Sequence, residues 1–216
     1  MSPETARPAP GRDCRLCPRL AAFRDAQRAR EPGWHNAPVP SFGPEDAGLL
    51  VVGLAPGLRG ANRTGRPFTG DFAGEILYAA LARHGFSRGR FDARVDDGLE
   101  LVGCRIANAV RCVPPENKPV PAEISACRRF LAPELDSAPR PRVALALGRI
   151  AHDTVLRARG LSAGRYPFGH GATHDLPGGP VLVSSFHTSR YNVNTGKLTE
   201  AMFDHVVATA RAQLDA

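Results

Sequence analysis

The side chains of this sequence best equipped for chemistry stand where short apolar runs end. Asp71 closes GLAPGLRGANRTGRPFTGD (Gly53 to Asp71), Asn108 lies near the end of LVGCRIANAV, and His187 follows VLVSSF. Asn108 carries two donors and an acceptor on one amide, the pattern that reads the edge of a pyrimidine; an Asn at a strand end also serves backbone groups. Asp71 precedes a helical pattern and suits an N-cap, a role compatible with a place in a site. Beyond His187 come Ser189, Arg190, Tyr191 and Asn192, residue types that enter grooves or touch phosphates. Asn117 sits in the Pro-rich turn VPPENKPVP, where Asn is common for conformational reasons alone.

Glycines at 53, 57, 60, 65 and 70 let the backbone ahead of Asp71 turn tightly and let a ligand approach the main chain. No Gly-Lys-Ser/Thr follows, so this is not a phosphate-gripping P-loop, and the dinucleotide spacing is not matched. A loop of this length inside a compact domain points to function.

Cys14 and Cys17 form a CxxC followed by Pro18, and Cys112 and Cys127 form a second pair. Four thiolates can hold a zinc ion or a [4Fe–4S] cluster, and spacing alone does not choose between them. Either centre would be structural, tying the N-terminal segment to the one after the second apolar run. Cys104 lies within an apolar run and reads as a small buried core residue.

Four apolar runs must supply the frame: 49–55, 101–110, 143–147 and 181–186. Short and nearly continuous, they predict strands buried on both faces, as in a parallel sheet. Helical patterns alternate with them. Phe72, Ile76, Leu77, Ala80 and Leu81 form one stripe, which Gly85 ends. Pro121 opens a second, residues 150–156 form a third, and Thr199 caps a last helix bearing Phe203, Val206 and Val207. Alternation of this kind predicts one three-layer α/β domain over 1–216, with 1–12 as a flexible tail. Ligands of such sheets bind beyond the carboxyl ends of the strands, where Asp71, Asn108 and His187 all fall.

With 43% hydrophobic and 23% charged residues, the 216-residue chain can bury a core, which excludes a disordered or fibrous protein. No apolar run reaches the ~18 residues of a membrane helix. The polar, Pro-rich start lacks the core of a secretory signal, so a soluble, cytoplasmic protein is expected, without disulfides. The net charge of +7 gives mild support for a polyanionic partner. Only Lys118 and Lys197 are lysines, and the guanidinium of Arg can bind two phosphate oxygens at once.

Together these pieces resemble the uracil-DNA glycosylase superfamily, its iron–sulfur branches and family 5 (type B) most of all. The resemblance rests on CRLCPRL at 14–20, GLAPG and GANRTGRPFTGD within 53–71, AVRCVPPENKPVP at 109–121, ALGRIA at 146–151, FGHGA at 168–172, and HTSRYN with TGKLT within 187–199. It implies a four-stranded parallel sheet between helices and a [4Fe–4S] cluster on Cys14, Cys17, Cys112 and Cys127. It also implies N-glycosidic cleavage of a deaminated base flipped out of DNA. By motif, Asp71, Asn117 and His187 take catalytic roles, with His187 facing the leaving base and Phe68 stacking on it. Asn108 and, from the glycine loop, Gly53, Ala55, Gly57 and Asn62 become substrate-binding positions; Ser189, Arg190, Tyr191 and Asn192 become DNA-binding ones. Family 5 enzymes often have a small residue where Asn108 stands and family 4 enzymes have Asn, which argues for uracil selectivity.

The implied partner is uracil-containing DNA and the implied state a monomer. A non-catalytic nucleic-acid-binding module with a metal staple would share the charge and the cysteines. It gives no reason for an Asp, an Asn and a His at three strand ends.

Overall fold

A computed structural model describes residues 7–216. Its helices and strands are, in chain order, α1 (Pro18–Arg30), β1 (Leu49–Gly53), α2 (Ala61–Thr64), α3 (Phe72–Arg83), β2 (Ser87–Arg88), β3 (Glu100–Leu101), β4 (Cys104–Asn108), α4 (Pro121–Cys127), α5 (Ala132–Asp136), β5 (Val143–Leu147), α6 (Arg149–Ala158), β6 (Thr173–Asp175), β7 (Val181–Ser185), α7 (Arg190–Asn194) and α8 (Glu200–Asp215).

The main sheet runs β4-β1-β5-β7-β6. The four apolar runs are its parallel strands. The fifth corrects the expected four-stranded parallel sheet: β6 pairs antiparallel with β7 along one edge. At three residues, with Thr173 and Asp175 exposed, it carries no apolar run to betray it. Its effect is to cover a strand edge that would otherwise be open to pairing with another chain.

Alternation along the strands sorts side chains onto the two faces. Leu49, Val51, Ile106, Leu145 and Val183 pack against α3 and α8 through Leu77, Leu81, Phe203 and Val207. Leu50, Val52, Ala107, Ala144 and Leu182 pack on the other face against Leu131, Leu135 of α5 and Val155 of α6. The three layers follow from this two-sided burial. Cys104 is fully buried in the first of these cores.

Helix ends fall where the chemistry of the sequence places them. Asp71 caps α3, Thr199 Oγ1 caps α8 by accepting from Met202 N at 3.2 Å, and Gly85 follows α3 at φ 72°. Of the expected tail, residues 1–6 lie outside the described residues. Arg7 is held by the carbonyls of Glu45 (2.6 Å) and Pro139 (2.7 Å). No described helix is long and apolar enough to cross a membrane.

Candidate active site

A cavity of about 480 Å³ opens at the carboxyl edge of the sheet. Its lining includes Ala55, Gly57, Phe68, Asp71, Asn108, Asn117, His187, Ser189 and Arg190. Side chains as far apart in sequence as Ala55 and Arg190 therefore meet, because parallel strands deliver their exit loops to the same edge.

The wall starts from a cross-strand pair. Gly53 ends β1 directly beside Asn108 at the end of β4. A side chain at Gly53 would drive into the Asn108 amide and lie 2.6 Å from Phe68 Cζ, so the missing Cβ lets the ring and the amide meet. Asn108 is 3% exposed, and its Oδ1 finds no hydrogen-bond partner among the described residues. A buried acceptor left unpaired costs about 1–3 kcal/mol, a cost a bound ligand can relieve.

Phe68 stands at φ 52°, a left-handed conformation costly for an aromatic residue. Its neighbours hold it there. Arg66 forms a two-pronged ion pair with Asp97 at 2.8 and 2.7 Å, and its Nε donates to Thr69 Oγ1 at 2.8 Å. The guanidinium lies 5.2–5.7 Å from the ring centroids of Phe42, Tyr78 and Phe91. Tyr78 Oη donates to Pro67 O at 2.8 Å. Gly74 lets the Phe68 carbonyl pass: a Cβ there would lie 2.8 Å from its carbonyl carbon. The sequence reading did not find Arg66 or Asp97; the signal available was Arg66 inside the quoted NRTGRPFTGD.

Asp71 is both cap and cavity residue. Its Oδ1 accepts from Gly74 N–H at 3.2 Å, while Oδ2 points towards Gly57 and Gly60. Burial raises its pKa, against the amides of Gly74 and Ala73, which favour the anion. His187 faces Phe68 with ring centroids 6.1 Å apart. Burial alone pushes its pKa down to about 4, so the imidazole is neutral at physiological pH. The two segments are tied together, since Thr188 Oγ1 donates to Ala73 O at 3.2 Å. Asn117 stands exposed at the rim, where Glu116 (φ 55°) and Asn117 (φ 57°) are both left-handed.

Four positions expected from the sequence lie apart from the lining, Gly53 behind the Asn108 amide and three others. Asn62 is fully buried and turned away, its Nδ2 donating to Asn36 Oδ1 at 2.9 Å; its neighbour Ala61 faces the cavity instead. Asn192 uses Nδ2 to hold the His187 carbonyl at 2.8 Å. Tyr191 is 74% exposed beside the opening.

The four expected metal ligands line one small apolar pocket with Leu20, Val110 and Phe130. Arg111 N–H donates to Cys127 Sγ at 3.3 Å and Arg24 Nη1 to Cys112 Sγ at 3.6 Å. Burial raises the thiol pKa of Cys17, Cys112 and Cys127, the last to about 11. Among the described residues, no group of three or more His, Cys, Asp or Glu side chains meets the requirements for holding a metal ion.

A sequence profile described as "Uracil DNA glycosylase superfamily" matches residues 40–211. The chain is 48% identical over 204 residues to a type-5 uracil-DNA glycosylase of Thermus thermophilus, covering 92% of each chain. It is 42% identical to one of Mycobacterium leprae, covering 92% of this chain and 90% of that one. A type-4 uracil-DNA glycosylase of Archaeoglobus fulgidus is 38% identical over 114 residues, 52% of this chain and 49% of that one. The chain, with Asp71, Asn108 and His187 gathered at the edge of its sheet, belongs to the uracil DNA glycosylase superfamily.

Proposed function

We propose that this protein is a DNA-repair glycosylase that flips uracil out of DNA and hydrolyses its bond to the sugar, leaving an abasic site. The observation that carries the reading is the meeting of a carboxylate, an unpaired buried amide and a neutral imidazole on one cavity of about 480 Å³. A non-catalytic binding module has no use for that set.

A base within the duplex is out of reach, so the nucleotide must be extruded, at a cost of a few kcal/mol that is least at a mismatch. Arg190, exposed at the rim with its guanidinium 5.1 Å from the Phe72 ring centroid, contacts phosphate. Tyr191 fills the vacated place in the stack. Within the cavity uracil stacks on Phe68, and the Asn108 amide pairs with its O4 and N3–H.

Cleavage sends the electron pair of the C1′–N1 bond onto the base while water adds to C1′ and gives up a proton, which ends on the released uracil. His187 donates its N–H to the uracil O2. Being uncharged, it stabilises the anion as a fixed donor and needs no proton transfer. Asp71, as the anion, orients the water and stabilises the cationic sugar. Asn117, at the mouth, helps hold the water.

We assign the expected structural [4Fe–4S] cluster to the four cysteines on the chemistry of their surroundings. They share one small apolar pocket, and the N–H groups of Arg111 and Arg24 already point at two of the sulfurs, as donors do around cluster thiolates. The cluster would supply no chemistry to the reaction; it would tie α1 to the loop carrying Asn117. Zinc is the alternative that metal analysis would reveal.

We place the protein in the cytoplasm as a monomer acting on uracil-containing DNA, since a single cavity encloses a single nucleotide. The deciding assay is release of free uracil from an oligonucleotide, leaving an alkali-labile strand. Intact DNA at stoichiometric enzyme would overturn the reading.

A further inference from the structure

Strand β7 ends at Ser185, so the next amide, Phe186 N–H, has left the ladder that satisfied its predecessors. Such groups need another partner. Here it is a side chain: Nδ1 of His170 accepts from Phe186 N–H at 3.2 Å. The imidazole also lies flat against the Phe186 ring, with centroids 5.0 Å apart and planes 20° from parallel. One residue further on, the His187 carbonyl accepts from Asn192 Nδ2 at 2.8 Å. The backbone bearing His187 is therefore gripped on both sides by side chains.

Nδ1 can accept that hydrogen bond only while it carries no proton. Two titratable groups face this corner, His205 on α8 and the Lys197 ammonium, 4.9 Å from the Phe186 ring centroid. Burial opposes a proton on His170, as does positive charge on His205, against the backbone of Met202. The Ser185 hydroxyl donates to Phe186 O at 2.8 Å, and its oxygen also lies 3.4 Å from Nδ1, farther than the Phe186 amide at 3.2 Å.

Resting on the role of His187 given above, we propose that His170 is a positioning residue: its uncharged ring, by accepting the Phe186 amide, sets where the His187 imidazole meets the leaving base, and its protonation releases that segment. His170 lies outside the cavity lining and acts through the main chain. The FGHGA sequence around it thereby acquires a task that no cavity residue performs.

Two variants separate this from a merely structural role. His170→Asn keeps an acceptor near the place of Nδ1 but cannot titrate, whereas His170→Ala has none. Expected for His170→Ala is a loss of about 10²-fold in kcat with little change in KM, the size typical of a displaced catalytic group. His170→Asn recovers most of it, and its profile of kcat/KM against pH lacks the acid step due to His170, keeping that of Asp71. In ¹⁵N-labelled wild-type protein the Phe186 amide resonance shifts with the same midpoint as the His170 ring. Should His170→Ala fail to fold, His170→Asn and the amide titration still decide. A wild-type kcat in folded His170→Ala, an unchanged acid limb in His170→Asn, or a Phe186 amide indifferent to His170 would each overturn the proposal. Absence of uracil release by the wild-type protein would instead sink the reading of the site, leaving the amide titration to judge His170 alone.

Discussion

A side chain at Gly60 and the carboxylate of Asp71 cannot occupy the space they are given: a Cβ on Gly60 would lie 2.9 Å from Asp71 Cγ and closer still to Oδ2. Gly60 has φ −94° and ψ −112°, outside the helical and extended regions that L residues favour, so its glycine answers to the backbone as well as to the neighbour. Gly60→Ala should therefore lose some stability and, where folded, bind DNA while losing about 10²-fold in single-turnover rate, because the carboxylate is pushed off its position. At Gly57 the corresponding distance to Oδ2 is 3.0 Å, and Gly57→Ala should lose less. Rates for both variants, beside fluorescence anisotropy for DNA binding, check the order. A wild-type rate in Gly60→Ala would remove Asp71 from the chemistry.

Asp71 also links activity to stability. Burial raises its folded-state pKa, so the group stabilises the fold only below the ordinary aspartate range and opposes it as pH rises through the raised value. At neutral pH the ionised form is a burden that Asn lacks, and Asn caps a helix as well as Asp does. Asp71→Asn is expected to melt above wild type at pH 7, with the gap closing in acid, while turnover falls far more than DNA affinity. Asp71→Ala loses the bond from Gly74 N–H and should be less stable than Asp71→Asn by about 1 kcal/mol. Thermal melts across pH decide this; equal losses of turnover and binding would make Asp71 a cap or a binding residue.

Asn108 predicts the opposite separation. Its Oδ1 has no partner among the described residues, so Asn108→Ala deletes an unsatisfied group and should leave the melting temperature nearly unchanged. Discrimination among bases should fall, since the other amide of the lining, Asn117, stands exposed at the rim and not in the buried wall. Competition between uracil and other deaminated bases in matched oligonucleotides measures it. An unchanged profile would take Asn108 out of the readout.

The parallel strands and the helices α3, α6 and α8 were legible because their apolar spacing is dictated by burial on two faces. Helix α1 was not. Its buried positions are Leu20, Ala21, Arg24 and Gln27, and Arg24 is spent on Cys112 Sγ and the Cys14 carbonyl, so the stripe is half polar. The β2–β3 pair has two residues per strand, too few to show a period. Asp71, Asn108 and His187 could be read because they stand at run ends; Asn62 was misplaced by one residue, since a short helix decides which neighbour faces in. Arg66 was hidden because its task is to hold Phe68 in a strained conformation, which depends on Asp97 far along the chain.

The cysteine pocket makes a final prediction through Asn117. This residue lies between Cys112 and Cys127 on the rim loop, whereas Asp71, Asn108 and His187 ride on the sheet and α3. A cluster on Cys14, Cys17, Cys112 and Cys127 would fix that loop and α1, and it meets the cavity wall elsewhere at Ala55, which packs against the cysteine core. Cys127→Ser should lose iron and sulfide, lose its brown colour, and expose α1 to protease. Its turnover should fall to the level of Asn117→Ala and no further, and the double variant should be no worse than either single one, because both act on the same rim. A drop to the level of Asp71→Asn would mean that the centre supports the whole cavity. Full iron retention would show that the four thiols are not its ligands.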